Sequence, residues 1–227
     1  MSERGGRICG MKGTSFAALF AVTALALGLA AAPAGSQVTP PTSPDAEADA
    51  ITRIVLAAEV AAWARSRRDA HGLITASRML ADVPTRRDGG DEPFLTPFAL
   101  LNEAETMAAG DRVLRDQISR ERSPDKGVRA SPFGAGPIVV VRRLRARETY
   151  GFTVEARRNE VLRVAAIGDG DTNIDLTLKA GDGSVICADG SLDHYPVCTL
   201  ARPRPGPIRI EIVNRGEVWS RVQILTN

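Results

Sequence analysis

Beyond residue 137 a turn signal recurs roughly every ten residues, and that spacing constrains the fold more than any other feature. Asn159, Gly168-Asp169-Gly170, Gly181-Asp182-Gly183, Asp189-Gly190, Pro205-Gly206 and Asn214-Arg215-Gly216 are the punctuation. Segments this short suit strands. The residues between the turns are of the right kind, with a β-branched run over 138–144 and with Tyr150, Phe152 and Val154 alternating with Thr149, Thr153 and Glu155. Strands are expected at 138–144, 149–156, 160–167, 173–179, 184–188, 196–200, 207–213 and 218–226, about eight in all. Strands so spaced close into an antiparallel β-sandwich.

Before residue 125 the texture is different, with Ala and Leu at helical spacing. Ser43-Pro44 followed by Asp45 and Glu47 is a helix start. Ile54, Ala57, Ala58, Ala61, Ala62 and Arg65 then form one stripe, with Leu56, Val60 and Trp63 along its edge and Trp63 expected in the helix core. Asp69 caps a second helix carrying Leu73, Ile74, Ala76, Met79, Leu80 and Val83. A polar loop is expected over Thr85 to Glu92. Thr96-Pro97 opens a third helix burying Phe98, Leu100, Leu101, Ala104 and Met107, and Val113, Leu114 and Ile118 mark a short fourth. The fold class is therefore α+β: N-terminal helical hairpins (45–122), a Pro/Gly linker (123–137), then the sandwich (138–227).

The first residues carry an address. Arg4, Arg7 and Lys12 precede an uncharged run from Phe16 to Ala32, which ends in Ala32-Pro33-Ala34. A basic start, an apolar middle and small residues for a peptidase pocket make a secretory signal peptide, expected over 1–34 and followed by a Pro-rich linker (35–44). A retained anchor is the alternative, although the run is at the lower edge of what spans a bilayer. Cleavage leaves a periplasmic or secreted protein with no membrane span.

Removing the leader changes the charge argument. The chain has 29 Lys+Arg and 27 Asp+Glu; the leader holds three bases and one acid, so the remainder is formally neutral. Neutrality gives no support for nucleic-acid binding. Two of the three cysteines, Cys187 and Cys198, lie beyond the leader. In an oxidising compartment they are expected to pair, closing a short loop worth roughly 3 kcal/mol.

Asp175-Leu176-Thr177-Leu178, Gly181-Asp182-Gly183-Ser184-Val185-Ile186 and Gly206-Pro207-Ile208-Arg209-Ile210-Glu211-Ile212 together resemble the bacterial pre-peptidase C-terminal domain, over roughly residues 145–227. The resemblance implies a small β-sandwich appended to secreted proteins, and an ability to bind calcium or extracellular polymers. Asn173 stands where that family usually has Asp, and Thr177 replaces its common aromatic residue.

The densest polar cluster is Asp169-Gly170-Asp171-Thr172-Asn173-Ile174-Asp175. Alternating oxygens suit calcium. An EF-hand is excluded, because Ile174 and Ala180 occupy the positions that need Gly and Glu. A sandwich-edge calcium site from Asp169, Asp171 and Asp175, with Asp189 or Asp193, stands against a plain turn leading into a strand, with Asn173 and Asp175 on its solvated face.

No catalytic residues are assigned. His71 and His194 are the only histidines. His194 neighbours Asp193, but adjacent strand residues face opposite ways, and no Gly-x-Ser-x-Gly elbow supplies a nucleophile. The arginines of the second half (Arg142, Arg143, Arg145, Arg147, Arg157, Arg158, Arg202, Arg204, Arg209) fit either an anion-binding row or ordinary surface charge offset by Glu148, Glu155, Glu160 and Glu211. The expected function is a non-catalytic envelope binding protein with a protein or glycan partner and no cofactor other than calcium. The alternatives are a calcium-dependent accessory domain and a hydrolase with an unrecognised site.

Overall fold

Helix α1 (Pro44–Arg67) has Asp45 and Glu47 in its first turn and Arg65 and Arg67 in its last, each matched to the adjacent end of the helix dipole. Its buried face is Ala48, Ile51, Ile54, Ala57, Ala58, Ala61 and Ala64. So many alanines let neighbouring elements approach closely, and α1 packs on both α2 and a central strand. The computed structural model describes residues 44–122, 136–201 and 203–227; the leader pattern, the stretch 35–43 and most of the expected linker (123–135) lie outside the described residues.

Helix α2 (Ala70–Ala81) begins as expected at Asp69, whose carboxylate accepts the backbone N–H groups of His71 and Gly72. Strand β1 (Arg86–Gly90) follows, then α3 (Pro97–Met107), capped by the Thr96 hydroxyl accepting from Ala99 N–H, and α4 (Arg112–Arg122). The helices pack in succession, α1 on α2, α2 on α3 and α3 on α4.

Eight further strands follow: β2 (Ile138–Leu144), β3 (Thr149–Ala156), β4 (Val161–Gly168), β5 (Ile174–Lys179), β6 (Val185–Asp189), β7 (Val197–Ala201), β8 (Gly206–Asn214) and β9 (Ser220–Thr226). They match the expected segments to within two residues at either end. Two sheets result, one ordered β1-β2-β9-β4-β7 and the other β3-β8-β5-β6. Every pair is antiparallel except β1 with β2.

One core fills the space between the sheets, built from Val164, Ala166, Val222 and Ile224 against Ile174, Leu176, Leu178, Ile210 and Ile212. A second joins the helices to the outer face of the five-stranded sheet through Val139, Ala165, Ile167 and Leu225. That sheet is thus covered on both faces, which explains why β4 reads as a nearly continuous apolar run and why β9 is buried on both faces from Val222 to Thr226. Cys187 and Cys198 form a disulfide that ties β6, at the edge of one sheet, to β7, at the edge of the other.

Three expectations are corrected. The polar loop over 85–92 contains β1, a strand with no apolar alternation of its own, held by parallel pairing with β2. Trp63 and Phe98, expected in the helical core, are 53% and 65% exposed. The alanine-lined helix contacts leave no room for large rings, which lie outside with Arg67 over Trp63 and Arg122 over Phe98.

Candidate functional site

The concavity best furnished with polar side chains opens where the helices meet the five-stranded sheet. It has a volume of about 270 Å³ and is lined by Arg65 of α1, Glu103 of α3, Phe94, Asp169 at the end of β4, and His194 and Tyr195 from the loop between β6 and β7.

Each wall is fixed by local chemistry. Asp189 anchors the β6–β7 loop by accepting from the Ser191 hydroxyl and from the Ser191 and Val197 N–H groups. Asp193 accepts from Tyr195 N–H, while the carbonyls of Asp193, His194 and Pro196 accept from Ile174, Gly168 and Ala166. The imidazole and phenol are therefore held against the sheet by backbone bonds, with ring centroids 3.9 Å apart. Gly168 lets the loop pack closely here, because a Cβ there would lie a tight 3.0 Å from His194 Cβ and 3.1 Å from Ile174 Cγ1. On the opposite wall, Leu95 N–H donates to the buried Gln223 Oε1, which sets Phe94 at the mouth.

The ionisable groups of the cleft are held by partners or by burial. Arg65 makes two hydrogen bonds to Glu103, Nε to Oε2 at 2.6 Å and Nη2 to Oε1 at 2.8 Å, and that carboxylate holds its pKa above the ordinary value. Burial holds the His194 pKa below that of a free imidazole, outweighing the pull of Asp193 and Asp169, so the ring is neutral at pH 7. Burial likewise pushes the Tyr195 phenol up to about 12. Asp169 accepts from the Ser220 hydroxyl at 2.7 Å and from Arg221 N–H at 2.9 Å. Ser220 is fully buried and donates to a carboxylate rather than to His194, so the three do not form a nucleophile–base relay.

The three candidate calcium ligands face separate tasks. Asp169 is occupied by β9 as described. Asp175 pairs with Arg215 and accepts from the Asn173 amide, and Asp171 is exposed. Among the described residues no group of three or more His, Cys, Asp or Glu side chains is placed to hold a metal ion. His71 is exposed on α2, away from the cleft.

Sequence reasoning placed His194 and Asp169 in separate motifs and did not bring Arg65, Glu103 or Phe94 to them. Arg65 and Glu103 are 38 residues apart on different helices, and only the folded packing joins them. Their one local signal is polarity at the end of an otherwise apolar stripe.

No protein-family model and no curated protein sequence matches the chain. Among solved structures, the chain is similar to the pre-peptidase C-terminal domain of a collagenase from Bacillus anthracis, at 6% identity and a TM-score of 0.35, over 39% of this chain and 87% of that one. It is also similar to PliG, a periplasmic inhibitor of g-type lysozyme from Aeromonas hydrophila, at 13% identity and a TM-score of 0.30, over 40% and 86%. A carbohydrate-binding module of Cellvibrio mixtus lichenase 5A shows 14% identity and a TM-score of 0.26, over 37% and 72%. Among the described residues no helix is long and apolar enough to cross a membrane.

Proposed function

We propose that the chain is an exported, non-catalytic binding protein, and that its protein or glycan partner occupies the cleft between α1, Phe94 and the β6–β7 loop. One observation carries this reading. The ionisable groups of the cleft are either tied to protein partners or held neutral, while imidazole, phenol and aromatic surface still line it. Neutral hydrogen-bonding groups on a mixed apolar wall serve recognition. Nucleophilic catalysis by a serine needs a proton acceptor aimed at its hydroxyl, and the Ser220 hydroxyl beside Asp169 is spent on that carboxylate.

Export is supported by the leader pattern of residues 1–34 and by the Cys187–Cys198 disulfide, a bond that persists in oxidising compartments. Residues 145–227 read as a divergent relative of the pre-peptidase C-terminal domains, on the strand Asp175–Leu178, the Asp182 turn and the strand Gly206–Ile212. In this reading the helices of 45–122 buttress the sandwich and add one wall to its binding cleft.

The test is a panel of soluble envelope glycans and peptides, scored for thermal stabilisation and for turnover in the same samples. The expected result is a ligand that raises the melting temperature of the wild type, does so much less for Tyr195→Ala, and is recovered intact. Turnover of any panel member that disappears in His194→Ala would overturn the non-catalytic reading.

A further inference from the structure

The outer face of the five-stranded sheet changes character along each of its three inner strands. On β9, Leu225 lies in the helix-side core, Gln223 holds Leu95 and Arg221 follows, with Trp219 just before the strand. On β2 the same face runs Val139, Val141, Arg143, and on β4 it runs Ala165, Ile167, Asp169. The pairing register places Arg143 directly opposite Arg221, and Asp169 bonds Arg221 through its backbone N–H and its carboxylate.

Two like charges directly opposed on one face of an antiparallel pair destabilise the sheet, since their Cβ atoms stand only about 5 Å apart. Neither guanidinium forms an ion pair among the described residues. The Arg143 guanidinium lies 4.7 Å from the Trp219 ring centroid and has no carboxylate partner among the described residues. Arg221 lies 5.0 Å from the Phe94 centroid and donates to the Glu92 carbonyl, again without an ion pair. Other arginines of this half lie beside a carboxylate, as in Arg147–Glu217, Arg163–Asp49 and Arg215–Asp175, while Arg142, Arg145, Arg158 and Arg204 are not opposed to a second arginine across a ladder. An opposed pair of this kind offers an anion two guanidinium groups side by side.

We propose that Arg143 and Arg221, with Trp219 and Phe94, bind a carboxylated sugar chain whose next ring enters the adjoining cleft. This rests on the binding role of that cleft and names its ligand class. Planar guanidinium groups match carboxylates through two parallel hydrogen bonds. Trp219, 48% exposed, keeps open surface for the C–H face of a sugar ring. Phe94 belongs to both features, so a chain lying across the arginines continues past it to His194 and Tyr195, uncharged groups suited to hydroxyls. Asp169 at the cleft wall repels a second carboxylate, so the charged groups of the ligand lie over the arginines and its hydroxyls in the cleft.

The probe is oligogalacturonate, titrated calorimetrically into the leader-free protein beside a neutral dextran oligomer, an oligothymidylate and phosphatidylglycerol vesicles. The expected result is oligogalacturonate binding that weakens with added salt, with about tenfold loss in Arg143→Gln and in Arg221→Gln, as for one charged hydrogen bond each. Arg157→Gln, in the turn between β3 and β4, leaves affinity unchanged. Arg143→Gln also melts no lower than wild type, because the change relieves repulsion. Absence of oligogalacturonate binding, binding that both variants retain, or tighter binding of the oligonucleotide or the vesicles would each overturn the proposal. Binding of dextran in the cleft, insensitive to Arg143→Gln, would overturn it while leaving the binding role intact. Turnover of the probe would instead remove the binding role itself.

Discussion

Tyr195 and His194 are adjacent in sequence and respond to opposite limbs of the pH scale. The His194 pKa is held below its free value of 6.5, so the unfolded chain takes up the proton first as pH falls. Its contribution to stability is complete above pH 6.5 and is lost on acidification through the lower folded value. Tyr195 is raised from 10.0 to about 12, so its contribution is complete below pH 10 and is lost as pH rises toward 12. Thermal unfolding followed against pH is expected to show both losses, with His194→Gln flattening the acid limb and Tyr195→Phe the alkaline one. An NMR titration placing His194 at or above 6.5 would refute the assignment. Calcium is expected to leave the melting temperature unchanged, because β9 already satisfies Asp169 and Arg215 satisfies Asp175. A rise that Asp171→Asn abolishes would restore the calcium site. At this scale the sequence was a partial guide. Caps such as Asp69 and Thr96 act within three residues and were legible, whereas the Arg65–Glu103 pair and the row of Arg143 and Arg221 exist only through packing and register.

Among the elements, β1 is the one that local reasoning could not see. Arg86, Arg87, Asp88, Gly89 and Gly90 have neither alternation nor β-branching. The strand exists because the edge of β2 offers a ladder, and because Arg86 binds the Gly136 carbonyl and pairs with Glu47 of α1. Gly90 has φ +80°, and a Cβ there would sit 2.3 Å from the Val141 carbonyl oxygen. Gly90→Ala is therefore expected to cost about 1–3 kcal/mol and to unpair β1, visible as faster amide exchange at Asp91, which donates to Val141. Unchanged stability would mean that the pairing does not hold the segment. The other eight strands were legible because their turns are written in Gly, Asp, Asn and Pro, and their faces in the alternation of Ile174, Leu176 and Leu178. The exposed rings of Trp63 and Phe98 show the limit of periodicity, which marks a face and not the room available beneath it.

For the whole molecule, the disulfide is the covalent link between two edges that share no hydrogen-bonded ladder. Replacing both Cys187 and Cys198 by Ser is expected to lower stability by about 3 kcal/mol, the chain-entropy value for a loop of this length. Urea unfolding measures it, and an unchanged midpoint would leave the bond without a stabilising role. The order of strands has a different consequence. Strand β9, last in the chain, lies between β2 and β4 at the heart of the five-stranded sheet, and it faces both cores. Both hydrophobic layers draw on β9, through Leu225 on one side and Val222 and Ile224 on the other, so a chain without residues 220–226 leaves each of them incomplete. Because β2 and β4 meet only through β9, the sheet closes by pairing strands distant in sequence rather than hairpin by hairpin, the slower kind of assembly.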